Sequence, residues 1–426
     1  MKGVISNRIY LPKTEELFNH CLTELTYQIP NPRPHLPPDI VNDLAIVSPK
    51  VFSIPVGRLD LVPKDIELID KRVFSPVRLP SPLVTLREDQ EDIYALVEDS
   101  CLINAKPGWG KTFTGCFIAH KLGQKTLIVV HNKALRDQWV EEVENVFGFT
   151  PGVIGSGTFN TDTPIVVSNT QTLVKHIHKY NKLFGTIICD EVHRVPSTMF
   201  KNIVDTSYAR YKIGLSATIK RKDNRHVYIP DYFSPDRYTP LTDTAMKPTI
   251  MCIYTDISLD NSLGHWVAKV TALTEDPKYI ELITNLAHIK SNVENYKVLV
   301  VGDRLEFLET CQELVDNSRL VTSQTENRLE IFKDMKEGKI NSIFGTTGIF
   351  KEGINIPILS CLILGGPINN DPLLEQITGR VTRPLKGKPT PLIIDIVLKD
   401  RTSRRQFGTR LNYYLSKGYK IVEVHL

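Results

Sequence analysis

None of the seven cysteines (Cys21, Cys101, Cys116, Cys189, Cys252, Cys311 and Cys361) stands in a CxxC pair, and their number is odd. The common zinc and iron–sulfur ligand spacings are therefore missing. Free thiols in a reducing cytoplasm are expected, each a small buried hydrophobe. No apolar run approaches membrane-spanning length, so no membrane partner is expected. The opening residues MKGVISNRIYLPK lack the apolar core of a signal peptide, which again places the protein in the cytoplasm. Short repeats and low-complexity tracts are absent as well. Strong charge of one sign is also lacking: the formal net charge of +4 permits a polyanionic partner without demanding one.

What is present is enough apolar side chain, 41% of 426 residues, for two or three separate cores. Residues 1–84 are rich in proline, with PNPRPHLPP from Pro30 to Pro38 ruling out a helix there. A helix is expected at Thr14 to Leu25. This region reads as a small accessory domain with a possible role in DNA binding. From Leu86 the pattern changes to short apolar strands alternating with helical segments, at Leu102-Ile103, Thr126 to Val130, Ile165 to Ser168, Thr186 to Cys189 and Lys212 to Leu215. The pattern repeats from Thr249, with strands at Ile250 to Tyr254, Lys297 to Val301, Asn341 to Phe344, Cys361 to Leu364 and Leu392 to Ile396. Such alternation implies βαβ units. The expected fold class is α/β: two tandem lobes with parallel sheets, at 85–240 and 241–426, joined through the polar stretch Arg221 to Lys247.

Between the strand at Ser100 to Asn104 and a helical segment at Phe113 to Leu122 lies AKPGWGKT. Strand, glycine-rich turn and helix in that order form the setting of a phosphate-binding loop. Pro107, Gly108, Trp109 and Gly110 would wrap the phosphates of ATP, Lys111 would supply a cation to the outer phosphates, and Thr112 would offer its hydroxyl to Mg²⁺. Ala105 stands where such loops carry their first glycine, which requires only that its φ be negative. Downstream, a buried strand runs into Asp190-Glu191-Val192-His193. Acidic groups at the end of a parallel strand sit where ligands bind. Asp190 is suited to Mg²⁺, and Glu191 to orienting or deprotonating the attacking water. In the second lobe QITGRVTR contains Arg380 and Arg383, three apart and so expected on one helical face. An arginine there can stabilise transition-state charge on a γ-phosphate across a cleft.

Taken in order, these segments resemble the superfamily 2 helicases and translocases over roughly residues 85 to 426. Arg87 and Gln90 of LREDQ are similar to an adenine-recognising motif, and HNKALRDQW to a DNA-contacting one that contains Lys133 and Arg136. Thr170 and Gln171 match the next nucleic-acid motif, and Ser216-Ala217-Thr218 the one that follows DEVH. In the second lobe VVGDR, with Arg304, resembles the fourth motif. Thr346 to Pro357, with Thr346, Gly353 and Asn355, resembles the fifth, and QITGRVTR, with Gln376, the sixth. The resemblance implies RecA-like lobes, ATP and Mg²⁺ as cofactors, and DNA, duplex or branched, as partner. LREDQ, HNKALRDQW and SATIKRKDN look most like the branch that holds XPB, RecG-like enzymes and phage branch-migration helicases of the UvsW type. Fork or junction remodelling by a monomer follows as an expectation, with ATP-driven displacement of proteins or transcripts as the alternative. Ile219 stands where a proline often follows SAT, and Asn355 where an aspartate is common. Asp303 and Glu306 have capping-box spacing, expected to leave a helix N-terminus with Arg304 beside it as a phosphate site. Lys399 to Lys420 interleaves Arg401, Arg404, Arg405 and Arg410 with aromatic residues, the arginines being candidates for nucleic acid.

Overall fold

The computed structural model describes residues 1–31, 35–194, 198–217, 224–241, 245–322, 324–325, 327–348, 356–368 and 371–426. They form two compact units, Met1–Lys106 with Gly110–Asp243, and Thr244–Leu426 with Pro107–Trp109. The first unit opens with strands β1 (Lys2–Ile5) and β2 (Arg8–Pro12), helix α1 (Glu15–Glu24), and strands β3 (Thr26–Ile29), β4 (Asp39–Asn42), β5 (Ala45–Ser48), β6 (Val51–Pro55) and β7 (Glu67–Asp70). Five of these strands form a mixed sheet in the order β5-β6-β2-β1-β7, and β3 pairs with β4 alone. The Thr14 hydroxyl caps α1 by accepting from the Leu17 N–H, and Leu17 and Cys21 turn into the core beside Ile9, Phe52 and Ile54.

This N-terminal sheet is tied to the rest of its unit by charge. Arg8 Nη1 pairs with Asp205 at 2.8 Å, and Asp43 takes the Tyr232 hydroxyl and Lys201 Nζ. Asp231 accepts from Tyr27 at 2.9 Å and faces Arg58 at 3.4 Å. Burial is the largest influence on Asp231 and pushes its carboxyl up to about 7, against the pull of Tyr27 and Arg58.

The remainder of the first unit comprises helix α2 (Glu88–Leu96), β8 (Cys101–Asn104), α3 (Lys111–Leu122), β9 (Thr126–Val130), α4 (Lys133–Phe147), β10 (Gly152–Gly155), β11 (Thr158–Phe159), β12 (Ile165–Asn169), α5 (Thr170–Tyr180), β13 (Thr186–Asp190), α6 (Thr198–Thr206), β14 (Tyr211–Ser216) and β15 (Arg237–Tyr238). Its eight-stranded sheet runs β11-β10-β12-β9-β13-β14-β8-β15, parallel except for β11. Every residue of β9 and β13 is buried, as helices on both faces require.

The second unit holds β16 (Thr249–Tyr254), α7 (Trp266–Glu275), α8 (Pro277–His288), β17 (Val298–Gly302), α9 (Leu305–Glu313), β18 (Ser318–Val321), α10 (Arg328–Lys336), β19 (Ser342–Thr346), β20 (Cys361–Leu364), α11 (Asp371–Val381), β21 (Leu392–Val397), α12 (Arg401–Ser416) and β22 (Lys420–His425). These strands form one seven-stranded sheet, order β18-β19-β17-β20-β21-β16-β22, parallel throughout. Both units have the parallel α/β architecture expected of RecA-like lobes.

The periodicity missed the edge strands β11, β15, β18 and β22, together with β10 beside β11. The edge strands are paired on one side only, so their residues carry a weaker apolar signal. The stretch Arg221 to Lys247 is less a connector than expected. It places Tyr228, Ile229, Tyr232 and Phe233 in the first unit's core, and β15 lies along β8. No helix among the described residues is long and apolar enough to cross a membrane. All seven cysteines are buried.

Candidate active site and nucleic-acid face

Because the large sheet of the first unit is parallel, its strands deliver their following loops to one edge. β8 leads into the phosphate loop, β9 into His131 to Lys133, β12 into Asn169 to Gln171, β13 into Asp190 to His193, and β14 into Ser216-Ala217. In the loop, Gly108 and Gly110 have φ of +86° and +99°, values that a side chain would strain, while Ala105 is not among the residues of positive φ. The alanine therefore fits where the two glycines could not be replaced. Lys111 and Thr112 begin α3, and Lys111 Nζ donates to the Ala105 carbonyl at 2.8 Å. The Lys111 ammonium is thus curled into its own loop. Pro107 and Trp109 complete the turn. Gln90 accepts from the Arg87 N–H through Oε1 at 3.0 Å, and its Nε2 stands 2.5 Å from where a Cβ on Gly110 would be. The expected adenine-reading glutamine thus also braces the phosphate loop. Arg87 pairs with the buried Asp89 at 3.1 Å.

Asp190 is 4% exposed and accepts from Trp139 Nε1 at 2.9 Å through Oδ2 and from the Glu191 N–H at 2.9 Å through Oδ1. Burial first, then the Glu191 charge, pushes its carboxyl above the ordinary range. Glu191 has φ +55°, a left-handed backbone for a residue with a Cβ, held at the end of a fully buried strand. Its Oε2 lies 3.1 Å from His193 Nδ1, which is also 3.1 Å from Ser216 Oγ. Burial opposes the Glu191 charge, but His193 and Lys111 outweigh it and hold this carboxyl below its ordinary range. Glu191 is therefore ionised at neutral pH, as a group that orients water must be. Two adjacent carboxylates with little solvent suit a cation. Thr112 and Asp190 offer the hard oxygen donors that Mg²⁺ takes, so the residues fit that ion.

The nucleic-acid candidates divide. Lys133 and Gln171 are exposed in the first turns of α4 and α5, whose caps Asn132 and Asn169 accept from Leu135 and Thr172 N–H. Thr170 is buried beside Gln171. Arg136 is turned inward, bonded to Asp137 at 2.8 Å and Ser156 at 3.0 Å, so it shapes the β10–β11 turn. In the second unit Thr346 closes β19. Arg304, not Asp303, is the N-cap of α9 and no side chain caps that end, so the expected capping box does not form. The Arg304 guanidinium instead donates to Thr271 Oγ1 at 3.1 Å and the Val267 carbonyl at 3.3 Å, anchoring α9 to α7.

Gln376 and Arg380 lie on α11, which ends at Val381, leaving Arg383 past the helix. The two arginines therefore do not share a helical face. Gln376 Oε1 is a buried acceptor with no hydrogen-bond donor among the described residues. Gly353, Asn355, Thr218 and Ile219 lie outside the described residues. Arg410 is 5% exposed and its guanidinium grips Asp395 at 2.7 and 2.8 Å, with Tyr414 on the same carboxylate. Its candidacy for nucleic acid is overturned, because a buried, fully paired cation cannot meet a phosphate. Trp139, His193 and Ser216 were visible only as motif letters, since their roles depend on three loops meeting at one sheet edge.

Residues 83–221 match the family model "Type III restriction enzyme, res subunit", and residues 278–384 match "Helicase conserved C-terminal domain". The chain is similar to "Probable helicase D10" of Escherichia phage T5, 41% identical over 99% of this chain and 96% of that protein. It is also similar to the "DNA 3'-5' translocase XPB2" of Sulfurisphaera tokodaii, 25% identical over 86% of this chain and 94% of that protein. Among solved structures, "S. cerevisiae Dbp5 bound to RNA and ADP BeF3" aligns over 81% of this chain and 90% of its own at TM-score 0.57 and 14% identity, a likeness of fold alone.

Proposed function

Because the chain belongs to the superfamily 2 helicases, ATP-dependent enzymes of nucleic acid, we propose that it translocates on DNA and remodels branched or duplex forms by fork or junction branch migration. The observation that carries the reading is the shared sheet edge of the first unit. There the phosphate loop and the Trp139–Asp190–Glu191–His193–Ser216 chain stand beside two exposed helix N-termini bearing Lys133 and Gln171. Such ends suit backbone phosphates rather than base edges, which fits a motor that moves through any sequence.

In this reading Lys111 and the loop amides bind the ATP phosphates, Arg87 and Gln90 the adenine end, and Asn355 and Gly353 the ribose side. Thr112 and Asp190 would hold Mg²⁺, which neutralises phosphate charge. Glu191 orients the water with Gln376, and Arg383, more than Arg380, provides transition-state charge from the second lobe. Lys133, Gln171 and Thr346 face the DNA backbone, with Thr170 buried beside Gln171. Arg136 and Arg304 act by shaping the elements that do so. Three parts divide the work, the accessory region 1–84 and the lobes 85–240 and 241–426. The chain acts as a monomer in the cytoplasm, which for a phage relative means an infected cell.

The likeness to a protein named a translocase supports one second reading, displacement of bound proteins or transcripts without strand separation. ATPase and unwinding rates on single-stranded, duplex, forked and four-way DNA test the first. Highest turnover and strand exchange are expected on forked or four-way DNA. Triplex displacement without any strand displacement would transfer the assignment to the second reading, and an ATPase indifferent to DNA would sink both.

A further inference from the structure

Helix α12 follows β21 and so begins at the same edge of the second sheet where β17 delivers Arg304 and β19 ends in Thr346. It also lies beyond the matched residues 278–384. Its four arginines fall into three classes. Arg410 is buried against Asp395. Arg404 donates through Nε to the Lys399 carbonyl at 3.2 Å. Arg401 and Arg405 are exposed, one turn apart on one face, and among the described residues neither has an acidic side chain within ion-pair distance.

Together with Thr402, Gln406 and Thr409 these two arginines line a surface hollow of about 380 Å³ in which, among the described residues, there is no carboxylate. The nearby acid is committed elsewhere: the Asp400 carboxylate accepts from Ser403 N–H at 2.9 Å and from Leu259 N–H at 3.2 Å. Gln406 Oε1 is a buried atom with no protein donor. Two unneutralised guanidinium groups flanked by hydroxyls and an amide make a receptor for phosphate oxygens. β21 is two strands from β17 and three from β19, roughly 10 to 15 Å at the usual strand spacing, so one stretch of sugar–phosphate backbone can span them.

We propose that the Arg401–Arg405 face of α12 is a second-lobe site for the phosphodiester backbone of the DNA on which the protein moves. The site rests on the proposed function. It extends the DNA track beyond the helicase motifs, and it reads no sequence because guanidinium–phosphate contacts carry none.

The test uses the full chain with Arg401→Ala/Arg405→Ala and, as rescue, Arg401→Lys/Arg405→Lys. Affinity for fluorescein-labelled duplex and single-stranded DNA is measured over ~50 to ~200 mM salt beside ATPase with and without DNA. Losing two phosphate contacts should lower the salt slope of log affinity by about 2. The DNA concentration giving half-maximal ATPase should rise roughly tenfold, with DNA-free turnover and turnover at saturating DNA unchanged. The lysine pair should restore the slope. A loss on duplex alone assigns the face to double-stranded backbone, and a loss on both probes assigns it to a single strand shared by them. An unaltered slope on both, in a variant of normal thermal midpoint whose parent is DNA-stimulated, overturns the site. A parent without DNA stimulation would instead count against the proposed function itself.

Discussion

The two parallel sheets of this protein treat buried charge differently at the edge where their strands end. In the first unit the buried Asp190 and the part-buried Glu191 stand side by side, Glu191 in a left-handed backbone; burial and then the Glu191 charge raise the Asp190 carboxyl, while His193 and Lys111 outweigh burial and hold that of Glu191 down. In the second unit the buried charge, Arg410 with Asp395 and Tyr414, is fully paired and structural, while the cations suited to a ligand lie at helix ends and on α12. Adjacent carboxyls shifted in opposite directions mark a candidate functional site, whereas a fully paired buried charge holds an element in place.

The largest expected effect tests whether the second unit takes part in the reaction. Replacing Arg383 with alanine should lower kcat by about 10³-fold or more, as arginines of this role do, while ATP affinity stays within about tenfold. Steady-state turnover beside nucleotide binding checks it, and a variant within a factor of ten of its parent would leave the second lobe without a catalytic part. Next in size, Glu191→Gln should cost roughly 10² to 10⁴ in turnover, the usual range for a positioned base, with DNA affinity retained. Near-normal ATPase in that variant would place the chemistry elsewhere.

A smaller effect sharpens the contrast between paired and unpaired charge. Arg410→Met leaves Asp395 buried without its cation, with Tyr414 as its remaining partner, so urea melts should show a loss of about 3 to 5 kcal/mol. A loss under about 1 kcal/mol would mean that the pair is dispensable. The smallest effect concerns the seam of the N-terminal sheet, where Asp231 is raised to about 7 by burial. An unfolded aspartate titrates near 3.9, so between about pH 4 and pH 7 the folded chain holds the extra proton. The contribution of this group is full below that window and is lost as the pH rises through about 7. Comparing melts from pH 5 to pH 8, Asp231→Asn should gain on the parent by up to about 1.4 kcal/mol per unit of pH within the window. A difference independent of pH would remove Asp231 as the titrating group.

Much of this was legible in the chain itself. Alternating apolar strands and helices set the α/β class because a strand covered on both faces must be apolar throughout, as Thr186–Asp190 is. AKPGWGKT and DEVH were legible because their chemistry is local: glycines at positive φ, a lysine at a helix start, acids at a strand end. The helix at Glu15–Glu24 was legible from its threonine cap. Edge strands such as β15 and β22 were not, since half-paired strands need less apolar surface.

Spacing also misjudged arginines, because it cannot see what lies opposite. Arg410 and Arg405 look alike in QFGTR and RTSRR, yet one meets Asp395 from a strand fifteen positions earlier and the other meets solvent. Arg380 and Arg383 have helical spacing, yet α11 ends at Val381 between them. By itself the sequence determined the lobes, the phosphate loop and the acid pair, because each is written in contiguous residues. Only the tertiary structure decided that Trp139 holds Asp190, that His193 lies between Glu191 and Ser216, and which arginines remain available to a phosphate. Those pairings join side chains far apart in the chain, and burial with partner geometry, absent from any linear pattern, sets their charge.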